Sequence, residues 1–319
     1  MDRRRQLEGL SVQILAGVFG GAGGGVAGYI AGGNDASNAF DRIDRIAFPS
    51  DVKSTLTPVL TGATQNTTGF ANSGVAGYVA GGFSSGANIS RIDKITFPGD
   101  TKTTLIPTLT TNKDLGAGLA NSGVAGFYCG GRDNTFTAVD SIDKITFPGD
   151  TKSVSAAVVS TAGTNIAGCA NSGVAGYINK AGGVTGINKL TFSSETMGTI
   201  SGVLSAARAS AYAFANSGVA GYWCGGLDAG IFFTTVDKVT FSTDTAAALG
   251  TGIDVALRSA QCFADTGVAG YFCGGFSNAA QYVDDINKFA FPSDTRSVLS
   301  NVLTSGVATG AGFADCGVF

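Results

Sequence analysis

Histidine is absent from all 319 residues. That removes the commonest general base, the usual serine and cysteine triads, and most zinc and copper sites. Charge is also scarce, at 13% of residues, about half the usual share. Long solvated helices would need more lysine and glutamate. With a net charge of −3, the chain lacks the concentrated basic surface that neutralises phosphates, so no nucleic-acid partner is expected. The one basic cluster, Arg3-Arg4-Arg5, is either a solvated tail or a docking point for an acidic partner. Leu10 to Gly33 carries no charge and is long enough to span a bilayer. Its second half, however, contains Val26-Ala27-Gly28-Tyr29, a phrase repeated along the chain between polar turns. It therefore reads as a strand, and no membrane insertion is expected. The basic start and apolar stretch weakly resemble a signal peptide, but Glu8 interrupts them and no small-residue cleavage site is clear. No export signal is expected.

Glycine is abundant: 49 residues, roughly double the typical share. Its placement is periodic. Gly-Val-Ala-Gly followed by an aromatic begins at Gly25, Gly74, Gly123, Gly173, Gly218 and Gly267, and a seventh copy breaks off at Gly317-Val318-Phe319. A period of 45 to 50 residues points to a propeller or solenoid. The second repeat shows the parts. Residues 63–71 end in Gly-Phe-Ala and meet the turn Asn72-Ser73-Gly74, whose residue types tolerate tight backbone angles. An apolar run, residues 75–80, closes on Gly81-Gly82. After a polar loop, residues 91–97 form a strand of β-branched and aromatic residues, Pro98-Gly99-Asp100 turns the chain, and residues 101–105 form a threonine-rich strand. No connection is long enough for a crossover helix. The expectation is an all-β, six-bladed propeller with four antiparallel strands per blade. Residues 1–18 form a separate N-terminal docking segment or tail, and residues 19–319 the propeller. The glycines and alanines of Val75-Ala76-Gly77 and Gly81-Gly82 are expected near the crowded axis.

The two ends complement each other. Residues 310–319 are the first strand and turn of a repeat with nothing after them, whereas the first repeat lacks its Phe-bearing strand. The C-terminal strand is therefore expected to join the N-terminal blade and close the ring, which removes exposed edges. Two apolar sets, Phe70/Leu119/Cys169/Phe214/Phe263/Phe313 and Phe48/Phe97/Phe147/Phe192/Phe241/Phe291, read as inter-blade core.

The repeats resemble kelch repeats, carried by the diglycines Gly32-Gly33, Gly81-Gly82, Gly130-Gly131, Gly182-Gly183, Gly225-Gly226 and Gly274-Gly275. Two departures stand out. The kelch tryptophan of the last strand is missing, the only Trp being Trp223, and the tyrosine after the diglycine is replaced by Phe in Ile-Thr-Phe-Pro. The wording GVAGYxAGG…IDKITFPGDTKTTL is also similar to repeats of kelch-like proteins encoded by marine tailed phages. That likeness implies a tail, fibre or capsid-associated structural component, located in the virion after synthesis in the host cytoplasm.

Little in the chain suggests catalysis. Some kelch-like propellers are copper oxidases with histidine ligands, which this chain cannot copy. Gly23, Gly25 and Gly28 match G-x-G-x-x-G, but with no βαβ unit around them they are not a nucleotide site. Cys129, Cys224 and Cys273 precede a diglycine where other repeats have alanine. Cys169, Cys262 and Cys316 replace a Phe, a Gly and a Ser. All six read as buried free thiols, suited to a reducing compartment. Asp44, Asp93, Asp143 and Asp237, with Asn188 and Asn287, each precede a basic residue and read as a structural ladder. Asp51, Asp100, Asp150, Asp244 and Asp294 read as turn residues bonded to their own backbone. No cofactor, no metal and no enzymatic activity are expected.

The blades differ in the loops after the diglycine, where propeller function generally sits. Phe83, Arg132, Phe136, Phe232, Phe233, Phe276 and Tyr282 are the candidate contact residues there, and Arg3, Arg4 and Arg5 the candidate docking residues. Two functions suit them. One is a structural module contacting other virion proteins, and the alternative is a propeller that binds cell-surface glycan during host attachment.

Overall fold

The computed structural model describes residues 27–316. The expected N-terminal segment, with Arg3, Arg4 and Arg5, lies outside the described residues. Among those described, the architecture is all-β, with six four-stranded antiparallel sheets arranged as a propeller. No helix among them is long and apolar enough to cross a membrane. Blade two holds Thr68–Asn72, Ala76–Ala80, Ile92–Thr96 and Thr101–Thr104, from innermost to outermost. Blades three to six repeat that order, their innermost strands being Ala117–Asn121, Gly168–Asn171, Tyr212–Asn216 and Gln261–Asp265.

Blade one is assembled from both ends of the chain. Ala27–Ala31, Ile43–Ala47 and Val52–Thr55 supply three strands, and Ala311–Ala314 supplies the innermost. Tyr29 stands opposite Phe313, the register that Tyr78 and Phe70 adopt in blade two. Asp315 extends the pairing: its N–H donates to the Ala27 carbonyl, and its carboxylate accepts the Ala27 N–H, both at 3.0 Å. The C-terminal strand therefore closes the ring, as the complementary ends imply.

A repeated seam joins the blades. In blade two the Tyr78 ring stacks on its cross-strand neighbour Phe70 at 5.3 Å and on Phe147 of blade three at 5.1 Å. Its hydroxyl donates to Asp150 of blade three at 2.7 Å, and the Lys94 Nζ meets the other oxygen of that carboxylate at 2.6 Å. The pattern recurs around the ring. Tyr29 and Arg45 hold Asp100, Tyr177 and Lys189 hold Asp244, and Tyr222 and Lys238 hold Asp294. Tyr271 and Lys288 hold Asp51 across the closing junction. One seam departs from this. Phe127 replaces the tyrosine, and Glu195, one methylene longer than Asp, bonds Lys144 and accepts from Ser155 Oγ. These acidic residues all sit at positive φ, between 49° and 57°. Asp tolerates that conformation better than most residues because its short polar side chain bonds locally. The turn aspartates thus differ from the expectation that they bond their own backbone: both carboxylate oxygens reach into the preceding blade as the acceptors of the seam. Burial and the facing carboxylate raise the tyrosine ionisation well above its ordinary range, so the hydroxyls remain donors.

The aspartates of the third strand point elsewhere. Asp93 is buried and accepts from the Thr61 backbone N–H and hydroxyl and from Thr104. Asp44 likewise accepts from Thr55 and Thr304. Along this strand, alternate side chains face opposite ways. One aspartate therefore fixes the incoming linker while the adjacent lysine reaches the next blade.

The second-strand glycines are not at the axis. A Cβ on Gly77 would come within 2.1 Å of the Phe313 ring, and one on Gly126 within 2.2 Å of Phe70. Each glycine is a socket for a side chain of the preceding blade: a Phe at Gly28, Gly77, Gly126 and Gly270, Leu119 at Gly176 and Cys169 at Gly221. The axial position belongs to the innermost strand, where a Cβ on Gly118 would lie 2.0 Å from the Gly69 carbonyl oxygen. The axial cavity is lined by all six blades and holds only about 50 Å³.

Each end of the axis carries a hydrogen-bonded rim. On the diglycine side, Asn66, Leu115, Asn165, Ser210, Ser259 and Thr309 all have φ between 52° and 60°. The backbone N–H of Leu115, Asn165, Ser210, Ser259 and Thr309 donates to the carbonyl of the same position one blade back, and Thr67 N–H completes the circle on Thr309. At the opposite end, the Asn72 side chain accepts from Gly123 N–H at 2.8 Å, and Asn121, Asn171 and Asn216 serve Gly173, Gly218 and Gly267. Cys129, Cys169, Cys224, Cys262 and Cys273 are buried free thiols, whose ionisation burial pushes up, and Cys316 is a part-buried free thiol.

Two outcomes follow for stability. Tyr78→Phe keeps the ring stack but removes a hydrogen bond to a carboxylate, and should cost about 1.5 kcal/mol in chemical denaturation. Asp315 has its pKa raised to about 6, chiefly by burial, above its unfolded value of 3.8. Its contribution is complete below the unfolded pKa and is lost as pH rises through the folded one. Asp315→Asn should match the native chain near pH 4 and exceed it above pH 7, by about 1 kcal/mol once solvent screening is counted. Melting curves across that range would check the sign.

Candidate functional site on the loop face

With the repeated polar residues engaged between blades, the loops after the diglycines carry the differences. Diglycine φ values are positive in every blade, from 58° to 114°, a conformation that glycine adopts at no steric cost. Each pair turns the chain off the second strand and onto the loop face.

The candidate residues separate into distinct places there. Phe83 is half-buried, its backbone bridged to Gln65 by two hydrogen bonds of 2.7 and 3.0 Å. Arg132 is held by Asp114 through Nε at 2.8 Å and Nη2 at 3.0 Å, a fork-like carboxylate grip. The Arg132 guanidinium lies 5.0 Å from the centre of the Phe136 ring, and Phe136 is 64% exposed. Adjacent in sequence, Phe232 and Phe233 part ways. Phe233 lies over Arg208, whose buried guanidinium is bonded to Asp237, and Phe232 turns toward blade six.

The structure brings Phe232, Phe276 and Tyr282 together. Phe276 meets Tyr282 edge-on at 5.0 Å and lies 6.4 Å from Phe232. Between them is Arg258, which sequence reasoning missed, with its guanidinium 5.1 Å from the Phe276 centroid and 5.8 Å from that of Phe232. Asn34 fastens the far wall. Its amide donates to the Tyr282 hydroxyl at 3.2 Å, and its oxygen accepts from Thr309 at 2.7 Å. Arg258, Phe276, Tyr282, Asn34 and Thr309, with Ser259 and Asn66, line a cleft of about 200 Å³ between blades six and one, and Phe232 lies outside that lining. A signal for Arg258 was present. Gln65, Asp114, Thr164, Ala209 and Ala308 occupy its place in the other repeats, so Arg258 is a charge that the repeat does not require.

The opposite face shows a second feature that the sequence reading passed over. Val75, Val124, Val174, Val219 and Val268 follow the turn glycines and are 46–51% exposed. They form a ring of apolar side chains around that rim.

Chemically, the cleft can stack a ring against Phe276 and Tyr282, offer hydrogen bonds from its polar wall, and present a guanidinium. The ring of valines can bury apolar surface against another protein. Among the described residues, no group of three or more Cys, Asp or Glu is placed to hold a metal ion. Comparison of the chain with protein-family models gives no match, and comparison with curated proteins gives none.

Proposed function

We propose that this propeller is a non-enzymatic structural module that makes protein–protein contacts within a tailed-phage particle, as a tail, fibre or capsid-associated component. The kelch-like repeat pattern and its similarity in wording to repeats of marine phage proteins support this assignment. The observation that carries it is the ring of half-exposed valines. Five equivalent apolar side chains on a rigid rim form a surface suited to a symmetric or flat partner, and solvent exposure is unfavourable for them. The seam residues, repeated at five of the six junctions, act as the frame that presents this rim.

A second function, attachment to cell-surface glycan, is favoured by one specific feature. Phe276 and Tyr282 line the blade-six cleft, and aromatic faces beside hydrogen-bonding groups suit a sugar ring.

Replacing Val124, Val174 and Val219 together by Asp should leave the fold intact, since those side chains already face solvent. The variant should melt within a few degrees of the native chain. It should nevertheless be missing from purified particles that contain the native protein in fixed stoichiometry. Normal incorporation of the triple variant would remove the valine rim as the contact surface. Absence of the native protein from particles would remove the virion assignment itself.

A further inference from the structure

We propose that the blade-six cleft binds the carboxylate of an acidic sugar, with Arg258 as the group that recognises it. This deepens the glycan-attachment function above and depends on it.

The first support is the isolation of Arg258. Six of the seven described arginines have an acidic partner: Arg42 with Asp44, Arg45 with Asp100, Arg91 with Asp93, Arg132 with Asp114, Arg208 with Asp237 and Arg296 with Asp254. Among the described residues, the Arg258 guanidinium has no ion pair and no hydrogen bond, and it lies against the Phe276 and Phe232 rings. A part-buried guanidinium with no acceptor carries a desolvation cost that a bound acceptor would recover.

The second support comes from within the molecule. In blade three, Asp114 pairs in register with Arg132 across a two-residue ladder. In blade six the same register pairs Arg258 with Phe276. Blade three thus places a carboxylate against its guanidinium, whereas blade six places aromatic rings beside its own and supplies no acid. A ligand carboxylate lying in the cleft would play for Arg258 the part that Asp114 plays for Arg132.

The third support is shape. A cleft of about 200 Å³ has room for one sugar ring but not for an extended peptide. Its walls differ in character. Phe276 and Tyr282 offer apolar ring surface, while Asn34, Thr309 and the Tyr282 hydroxyl, hydrogen-bonded to one another, form a polar wall. A bare anion would use the guanidinium and leave the rings unused. A neutral sugar would use the rings and leave the cation unpaired. An acidic sugar engages both.

The test is calorimetric titration of the full chain with methyl β-glucuronide, with methyl β-glucoside as its neutral counterpart and a triglutamate peptide as a non-sugar carboxylate. The glucuronide should bind, the glucoside should bind about tenfold more weakly or worse, and Arg258→Gln should abolish that difference. Because Arg258→Gln could disturb the loop, its melting temperature is measured alongside. Arg258→Lys, which keeps the charge without the fork, should show an intermediate affinity. Added salt should weaken the glucuronide but not the glucoside, a readout that requires no variant. Equal binding of the two glycosides would overturn the carboxylate role and leave glycan binding standing. Binding of triglutamate alone would overturn both, in favour of an acidic protein partner. No binding of any probe would also overturn both.

Discussion

Every blade of this protein has two apolar faces and no means of covering either by itself, so the structure depends on the seam between neighbouring sheets. Four of the six seams are made the same way, a Phe, a Tyr and the next blade's Phe in a stack, and in five a tyrosine hydroxyl and a basic side chain share one carboxylate. The stack supplies apolar burial, and the polar end fixes the angle at which sheets meet, since a hydrogen bond weakens steeply when misaligned. Gly77 and its equivalents allow the approach, because any larger residue would collide with a side chain of the preceding blade, in four of the six a Phe ring. Aromatic stack, acceptor and socket are three parts of one contact. They recur together because none closes the gap alone.

The number of blades, the closure and the burial of the Phe sets could be read from the chain, because they depend on spacing and on which residue types recur. The partners across the seam could not. Asp150 follows a Pro-Gly turn, where local backbone bonding is the ordinary role of Asp, and nothing within its own repeat names Tyr78 of the previous blade as its donor. Gly77 was assigned to the axis for a similar reason. Sequence shows that a position is crowded but not which neighbour crowds it, and Gly69 and Gly118 hold the axis instead. Around the cleft, Phe232, Phe276 and Tyr282 were visible as loop aromatics. Arg258 stands out in the sequence only as a basic residue that the other repeats lack at its position; it lies in a linker outside those loops, and the ring geometry carries it between Phe232 and Phe276.

A division of labour follows from these contacts. Residues that repeat are occupied in holding blade to blade, including the buried aspartates that fix each linker. Residues that do not repeat gather on the loop face, and the ring of valines lies at the other end of the axis. A frame whose own polar groups are satisfied can tolerate changes in its loops at little cost to folding, which is how a propeller comes to carry recognition on a rigid base.

Closure is the point on which the frame stands, since the seam from blade six to blade one joins Tyr271 and Lys288 to Asp51 only if the C-terminal strand occupies its place beside Tyr29. The most direct measurement is thermal unfolding and sedimentation of the chain truncated before Gly310. The account predicts loss of a single cooperative transition and self-association through the exposed strand edge. A truncated chain that melts like the intact one and remains monomeric would contradict it.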